Sequence, residues 1–205
     1  MQKRLLLFFM ALLTSVAALT AATLPKLSSG SNVTWYFIKF VNGGNVVEAR
    51  TDAQNVKQAG MTGRGAQLWK FEGNLSTGCT ITNKLGQQLY VTSQRQNGMV
   101  VASRKASTYT KFVVQTSKKN KDYFEIHPVG HNDLSFNQWG GSGVGQEVGL
   151  WLADNDPNNV ISFEDAATFE GYSKLPALIP YPQSLTMKPG VKLNAKTLRT
   201  GRFPA

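Results

Sequence analysis

The sequence has few of the residues that commonly stabilise a small protein domain or give it catalytic activity. It contains one cysteine, Cys79, so no disulfide can form within the chain. It has two histidines, His127 and His131, and a metal site would need further ligands near them. It lacks a Gly-x-Ser-x-Gly nucleophile motif, and its acidic residues are scattered. The sequence therefore predicts no metal site, no hydrolytic machinery and no cofactor.

Acidic residues are also missing from one end of the chain. The formal net charge of +10 is high enough to suggest nucleic-acid binding. Residues 171–205, however, carry six basic residues and no acidic one, whereas residues 31–170 carry 13 basic and 12 acidic residues. The central part is therefore nearly neutral and lacks the basic stripe that binds phosphates. We expect no nucleic-acid partner.

The one long apolar run lies at the start of the chain. Lys3 and Arg4 precede an almost unbroken apolar stretch over residues 5–19, and small residues surround positions 18–22. This order is typical of a secretory signal peptide. The run is shorter than the roughly 20 residues that a membrane-spanning helix needs. We predict a signal peptide over residues 1–22, export, and no membrane anchor after cleavage.

Helical patterning is scarce in the rest of the chain. Residues 51–58 are the only other stretch that could form a helical turn or two, and residues 118–122 (KKNKD) have the composition of a solvated loop tip. Elsewhere, apolar residues alternate with polar ones in short runs bounded by Gly, Asn, Asp and Pro. This pattern predicts an all-β barrel or trefoil with about four strands per unit. Cys79 opens one such run and is expected to be buried rather than reactive.

A weak threefold repeat organises residues 31–165. Its clearest copy, residues 134–163, has two apolar alternations separated by a glycine-rich turn and followed by a loop of Asp and Asn. Each copy opens on an isoleucine, at intervals of 43 and then 45 residues, and closes on a large apolar residue. The opening residues are Ile38, Ile81 and Ile126, and the closing residues are Phe71, Val114 and Phe163. Such units are too small to fold alone, so we expect one shared core.

These units resemble those of the ricin-type β-trefoil lectins, in which each unit ends near a Gln-x-Trp motif. Residues 67–69 (Gln-Leu-Trp) match this motif in the first unit. The second unit has Thr-Lys-Phe at residues 110–112, and the third has Asn-Val-Ile at residues 159–161. The resemblance covers roughly residues 31–165. It implies an all-β, β-trefoil, lectin-like domain over residues 31–170 that binds glycans.

The resemblance implies a shallow sugar site in the third unit. In such lectins an acidic or amide side chain binds the sugar hydroxyls, an aromatic ring stacks on the apolar face of the sugar, and an Asn adds a hydrogen bond. These roles fall to Asn137, Trp151 and Asn158, with Asn159 as a near alternative. Asn137 stands where the family usually has Asp. Trp139 lies beside two glycines and is expected to extend the aromatic surface.

A different interpretation of the same residues remains open. Trp151 could equally belong to the core, whereas Trp139 is the better candidate for an exposed ring. Thr92 in the second unit has no aromatic residue at the matching position, so no site is expected there. Glu48 in the first unit has no stacking ring nearby and is a poor candidate. If both rings of the third unit are buried without a polar concavity, the trefoil is a spacer or a protein-interaction module.

The end of the chain resembles another family. Four prolines between Pro176 and Pro189 indicate a linker. Residues 179–194 (IPYPQSLTMKPGVKLN) resemble the start of the amino-terminal domain of family 20 glycoside hydrolases, the β-N-acetylhexosaminidases. The resemblance implies that residues 171–205 are a linker and the truncated start of that domain, and that the catalytic residues are missing from this chain.

Together the two resemblances predict the partners and the location of the protein. The expected partners are glycans that end in GlcNAc, GalNAc or galactose, and the missing carboxy-terminal catalytic domain. The expected location is the periplasm or the exterior of a Gram-negative bacterium. Without a catalytic domain, the chain itself is expected to bind glycans but not to cleave them.

Overall fold

A computed structural model describes residues 22–169 of the protein. The described residues form strands and short 3-10 turns, and no helix among them has the length and apolarity to cross a bilayer. The strands are β1 Tyr36–Phe40, β2 Val46–Glu48, β3 Gln54–Asn55, β4 Lys57–Ala59, β5 Trp69–Asn74, β6 Gly78–Asn83, β7 Gln88–Val91, β8 Val100–Ser103, β9 Phe112–Thr116, β10 Phe124–Pro128, β11 Leu134–Gln138, β12 Val148–Leu152 and β13 Ile161–Asp165. The 3-10 turns are Gly65–Gln67, Pro157–Asn159 and Ala166–Thr168.

Six strands form a closed barrel. Each unit contributes its first and last strand, and every neighbouring pair is antiparallel. The order around the barrel is β1, β5, β6, β9, β10 and β13, and β13 pairs again with β1. Closure leaves no free barrel edge.

In this barrel, the residue that opens each repeat pairs with the residue that closes the neighbouring repeat on the adjacent strand. The cross-strand pairs are Ile38 with Phe163, Ile81 with Phe71, and Ile126 with Val114. All six side chains belong to one apolar cluster and are at most 6% exposed. The spacing read from the sequence is therefore the spacing of the core, and the three units share that core as predicted.

The remaining strands form three hairpins, β2–β4, β7–β8 and β11–β12, which cap the barrel. Each hairpin touches the next: β3 pairs with β8, Met99 bridges to Gly149, and Lys57 bridges to Glu147. A six-stranded barrel with a cap of three hairpins is a β-trefoil, so the predicted all-β trefoil fold is confirmed.

One local prediction was wrong. Residues 51–58 form a turn and the strands β3 and β4 rather than helical turns. Val56 and Gln58 are buried while Lys57 and Ala59 are half-buried, which is the two-residue period of a strand. Pairing of β4 with β2 and of β3 with β8 decides the conformation here. The first unit therefore has five strands, whereas the other two units have the predicted four.

The Gln-x-Trp motif of the first unit is structural. Trp69 is fully buried and donates a hydrogen bond from Nε1 to the Val47 carbonyl at 2.9 Å. Gln67 is also buried; it donates to Glu48 Oε2 at 2.7 Å and accepts from the Thr62 amide at 2.8 Å. Arg50 binds the other oxygen of Glu48. Both carboxylate oxygens of Glu48 are therefore bound by residues of the first unit, which agrees with the prediction that Glu48 is a poor candidate for binding a ligand.

Cys79 lies inside the barrel, as expected for a small buried residue. Its thiol is fully buried and donates to the Phe112 carbonyl at 3.3 Å. Burial raises the pKa of the Cys79 thiol to about 11, so the nucleophilic thiolate is scarce at neutral pH.

Candidate functional site

The third hairpin places the predicted site residues on one face. In the β11–β12 register, Ser135 lies opposite Trp151 and Asn137 lies opposite Gly149. Because side chains alternate along a strand, Asn137 and the next residue but one, Trp139, project to the same side of the hairpin as Trp151. The strand pattern therefore brings three of the predicted residues together.

The two tryptophans form an edge-to-face pair. The ring centroids of Trp139 and Trp151 are 5.8 Å apart and the ring planes are inclined by 64°. A Cβ atom on Gly149 would lie 3.1 Å from the Trp139 ring, so glycine at this position makes room for the indole. Both side chains are half-buried, and both line one open concavity. Trp151 thus belongs to the wall of a cleft and not to the barrel core.

A carboxylate that the sequence analysis missed lies beside these rings. Asp156 Oδ2 accepts a hydrogen bond from Asn137 Nδ2 at 3.1 Å, and Asp156 Oδ1 accepts from the Asn158 amide at 2.9 Å. The second contact caps the 3-10 turn Pro157–Asn159. An Asp directly before a Pro that starts a helical turn is a recognisable cap signal in sequence. That signal could have identified Asp156.

The two asparagines that follow Asp156 have different surroundings. Asn158 is half-buried, and its Oδ1 accepts a hydrogen bond from Asn42 Nδ2 at 2.9 Å. Asn159 is fully buried; its Oδ1 accepts from Asn137 Nδ2 at 2.6 Å, and its Nδ2 donates to the Leu152 carbonyl at 2.8 Å. Asn158 therefore lines the cleft, while Asn159 lies beneath it and orients Asn137.

The cleft has a volume of about 450 Å³, within the range of small-ligand pockets. Of the five predicted residues, four line it and Asn159 does not. The lining residues are Asn137, Gln138, Trp139, Gly140, Gly141, Trp151, Asp156 and Asn158. The lining combines two aromatic rings with a carboxylate and amide side chains.

Gln58, from the first unit, holds the glycine-rich loop of this cleft. Its side chain is 1% exposed, and Nε2 donates to the carbonyls of Gly141 at 3.0 Å and Glu147 at 3.3 Å. Its Oε1 accepts from Gln138 Nε2 at 2.8 Å and from the Gly143 amide at 3.2 Å. Gln58 therefore fixes both ends of the loop that follows Trp139.

The turn between β1 and β2 supports the same loop from the other side. Ser142 Oγ donates to the Asn42 carbonyl at 3.3 Å. Gly43 has a φ of 77°, and a Cβ atom there would lie 1.8 Å from Ser142 Oγ. Both the backbone conformation and the close approach require glycine. The cleft of the third unit is thus assembled with parts of the first.

The histidines lie outside the cleft. His127 is 1% exposed; its Nδ1 is 2.7 Å from the Leu134 carbonyl and its Nε2 is 3.6 Å from Glu125 Oε2. His131 lies in the turn before β11. Within residues 22–169, no group of three or more His, Cys, Asp or Glu side chains is arranged to hold a metal ion. The buried His127 is a structural residue in this fold.

Acidification is expected to destabilise the protein through His127. Burial lowers the pKa of this imidazole below its ordinary value of 6.5, although Leu134, Glu125 and Asp133 oppose the change. The unfolded chain then binds a proton that the folded chain does not, so the free energy of unfolding falls as the pH drops through 6.5. We expect a loss of up to about 1 kcal/mol between pH ~7.5 and pH ~5.5. Urea denaturation at the two pH values measures it.

The variant His127→Asn serves as the control for this effect. Asparagine retains a donor for the Leu134 carbonyl but does not titrate. The variant is expected to lose less stability on acidification than the wild type. An equal loss in both proteins would assign the pH dependence to other groups.

The comparisons with known proteins bear on the fold. No protein-family model matches the chain, and no curated protein matches it either. Among solved structures, the Macrolepiota procera ricin B-like lectin in complex with lactose is similar at 16% identity and a TM-score of 0.58, covering 69% of this chain and 99% of that one. The Rhizoctonia solani agglutinin is similar at 18% identity and a TM-score of 0.57, covering 70% and 99% of the two chains. ThreeFoil, a designed 3-fold symmetric protein, is similar at 15% identity and a TM-score of 0.57, covering 64% and 98%.

At these identities the similarity shows the β-trefoil fold. The predicted signal peptide falls almost wholly on residues 1–21, outside the described residues. The resemblance to family 20 hexosaminidases, in residues 171–205, falls outside them as well.

Proposed function

We propose that the cleft of the third unit binds glycans and that the chain is a carbohydrate-binding module. The observation that carries this proposal is the shared cleft of two half-buried indoles and a carboxylate. A pyranose has a CH face that packs on an aromatic ring and hydroxyl groups that bind planar polar side chains. The cleft offers both kinds of partner.

The polar groups retain hydrogen-bonding capacity for a ligand. Each oxygen of Asp156 accepts one bond within the site, whereas a carboxylate has about four acceptor positions. The side-chain nitrogen of Asn158, Nδ2, donates no bond within residues 22–169. Ricin-type lectins usually have Asp at the position of Asn137, and here the adjacent Asp156 supplies that negative charge. These groups favour neutral sugars with adjacent hydroxyls, and terminal galactose, GalNAc and GlcNAc are the proposed ligands.

The spacer hypothesis requires both rings to be buried and no polar concavity to be present. Both rings are instead half-buried and line a cleft that also contains a carboxylate and amide side chains. The lactose complex of the similar lectin from Macrolepiota procera adds support for a sugar ligand. A glycan-binding module is therefore favoured over a structural spacer.

The wider role rests on the sequence. The leader-like residues 1–22 and the hexosaminidase-like residues 179–194 suggest a module that attaches an exported β-N-acetylhexosaminidase to glycans. We place this role in the periplasm or outside a Gram-negative cell, and assign catalysis to a domain beyond this chain. Binding of the enzyme to a polymeric glycan would raise its local concentration there. A chain extended through the catalytic domain that gained nothing in activity on polymeric glycan would count against this role.

A glycan-array screen of residues 23–205 tests the binding function. We expect binding to glycans that end in galactose, GalNAc or GlcNAc. Trp151→Ala and Trp139→Ala should each weaken it about tenfold or more, because each removes a ring from the cleft. Tyr123→Ala, which removes a half-buried ring from the β9–β10 turn, should leave binding unchanged. If the folded wild-type protein bound no glycan on the array, the result would favour a structural spacer.

A further inference from the structure

The second unit has a cleft at the position that corresponds to the third-unit cleft. The core pair Phe136–Leu150 of the third hairpin corresponds to the core pair Leu89–Ala102 of the second. The chains that follow are aligned by the closing motifs at residues 159–161 and 110–112. The resulting correspondences are Asn137 with Tyr90, Trp139 with Thr92, Trp151 with Ser103, and Asn158 with Tyr109. The second unit therefore has aromatic residues where the third has Asn137 and Asn158.

These residues enclose a concavity of about 280 Å³. Its wall contains Tyr90, Tyr109, Lys105 and the hydroxyl residues Ser107 and Thr108. The sequence predicts Thr92 as the polar residue of the second unit, whereas the strand register assigns Thr92 to the position of Trp139 and Tyr90 to that of Asn137. The position of Trp151 holds Ser103, which is not aromatic, and the two tyrosines line the cleft from other positions.

Tyr109 adopts a backbone conformation that is unfavourable for a bulky residue. Its φ is +53°, in the left-handed region, where non-glycine residues carry a cost of about 1 kcal/mol or more. The Val91 amide donates to its carbonyl at 3.3 Å, which holds the backbone in place. The side chain is 45% exposed, so burial of the ring does not account for this conformation. The strained backbone presents the ring to the cleft.

The charges of the two clefts are opposite. The third-unit cleft has the Asp156 carboxylate and no basic residue in its lining, whereas the second-unit cleft has Lys105 and no acidic residue. Lys105 is exposed and forms no ion pair with any acid in residues 22–169. The nearby Asp52 is engaged by the Arg104 amide at 2.7 Å and by Ser103 Oγ at 3.4 Å. Among residues 22–169 the Lys105 ammonium group thus has no acidic partner, and it is available to a ligand.

We propose that the second unit binds an acidic saccharide. The carboxylate or sulfate group of the saccharide would pair with the Lys105 ammonium. The sugar ring would pack against Tyr109 and Tyr90, and the hydroxyl groups of Ser107 and Thr108 would hydrogen-bond to the sugar hydroxyls. This site goes beyond the proposed function, since it takes a different class of sugar and does not require the third-unit cleft to bind.

Amide chemical shifts of the 15N-labelled chain, residues 23–205, test the site residue by residue. The probes are glucuronic acid, which carries a carboxylate, galactose 6-sulfate, which carries a sulfate, and neutral lactose. We expect at least one of the acidic probes to shift the amides of residues 103–109, and added salt to weaken that effect. A response to one acid alone identifies the charged group that the site prefers. Lactose should leave these amides unshifted.

Two variants separate the contribution of the Tyr109 ring to binding from that of the Lys105 charge. Tyr109→Asn removes the ring but suits the left-handed backbone, so the protein should fold at least as well as the wild type while its affinity falls about tenfold. Lys105→Gln removes the charge and should weaken binding to a similar extent, whereas the matched control Lys121→Gln in the β9–β10 turn should not. Trp151→Ala should leave this response intact, which keeps the outcome independent of the third-unit site.

Three results would overturn the acidic-sugar site. They are the absence of shifts at residues 103–109 with both acidic probes, an unchanged affinity in either Tyr109→Asn or Lys105→Gln, and an equal response of these amides to lactose. Shifts confined to residues 137–158 would support the third-unit site and contradict the second.

Discussion

Replacing Gln58 by alanine is expected to lower the free energy of unfolding by about 3 kcal/mol and to weaken glycan binding, although Gln58 does not line the cleft. The variant leaves three buried or half-buried groups without their bond to Gln58: the Gly141 carbonyl, the Gly143 amide and Gln138 Nε2. The Glu147 carbonyl loses one bond but keeps that from the Trp139 amide at 3.1 Å. A buried polar group that loses its partner costs about 1–3 kcal/mol, and entering water offsets part of that sum.

The loss of binding follows from the loop. The loop held by Gln58 begins directly after Trp139, so the loss of the side-chain bonds loosens the support of that ring, although the backbone of residue 58 still bonds to Gly145 and Gln146. Urea denaturation measures the stability, and titration with the glycan identified on the array measures the affinity. Gln54→Ala, an exposed glutamine in the adjacent strand β3, is the matched control and should change neither quantity. A Gln58→Ala protein with wild-type stability would show that the network contributes nothing net.

The substitution Asp156→Asn is expected to weaken glycan binding roughly thirtyfold, about 2 kcal/mol. Asparagine is nearly isosteric and still caps the turn at Pro157–Asn159 by accepting from the Asn158 amide. It lacks the charge that strengthens hydrogen bonds from sugar hydroxyls. The contact with Asn137 Nδ2 would also turn unfavourable, since two amide NH₂ groups can then face each other.

Calorimetric titration of Asp156→Asn and of the control Asp154→Asn separates the ligand role from loop charge. Asp154 is exposed in the same loop, so its substitution changes the net charge equally without touching the cleft. Equal affinities in the wild type and in Asp156→Asn would exclude the carboxylate as a ligand acceptor and would shift the polar role to Asn137 and Asn158.

The repeat and the core could be predicted because both depend on the spacing of apolar residues along the chain. The isoleucine that opens each unit pairs with the residue that closes the neighbouring unit, on the adjacent strand of the barrel. Asn137, Trp151 and Asn158 were named through the resemblance to ricin-type lectins, and the cleft brings them together with Trp139 because one hairpin and the adjoining turn carry all four. Where alternation along one segment determines burial, the sequence contains the answer.

The parts that were missed depend on distant contacts or on insertions. Gln58 and Asn42 reach the cleft from another unit, and no local pattern marks a hydrogen bond of that range. The third unit is also a few residues longer than the second between its opening and closing strands. Counting along the chain therefore selected Thr92, whereas the strand register selects Tyr90. The strand at residues 57–59 likewise depends on its partner β2.

The seam of the barrel has a consequence for how this fold can be combined with others. Tyr36, at the start of β1, lies directly across from Asp165, at the end of β13. The Ala166 amide then donates to the Trp35 carbonyl at 2.9 Å. The chain thus enters and leaves the trefoil at neighbouring points. Such a module can be spliced into a surface loop of a host protein without forcing the two ends of that loop apart.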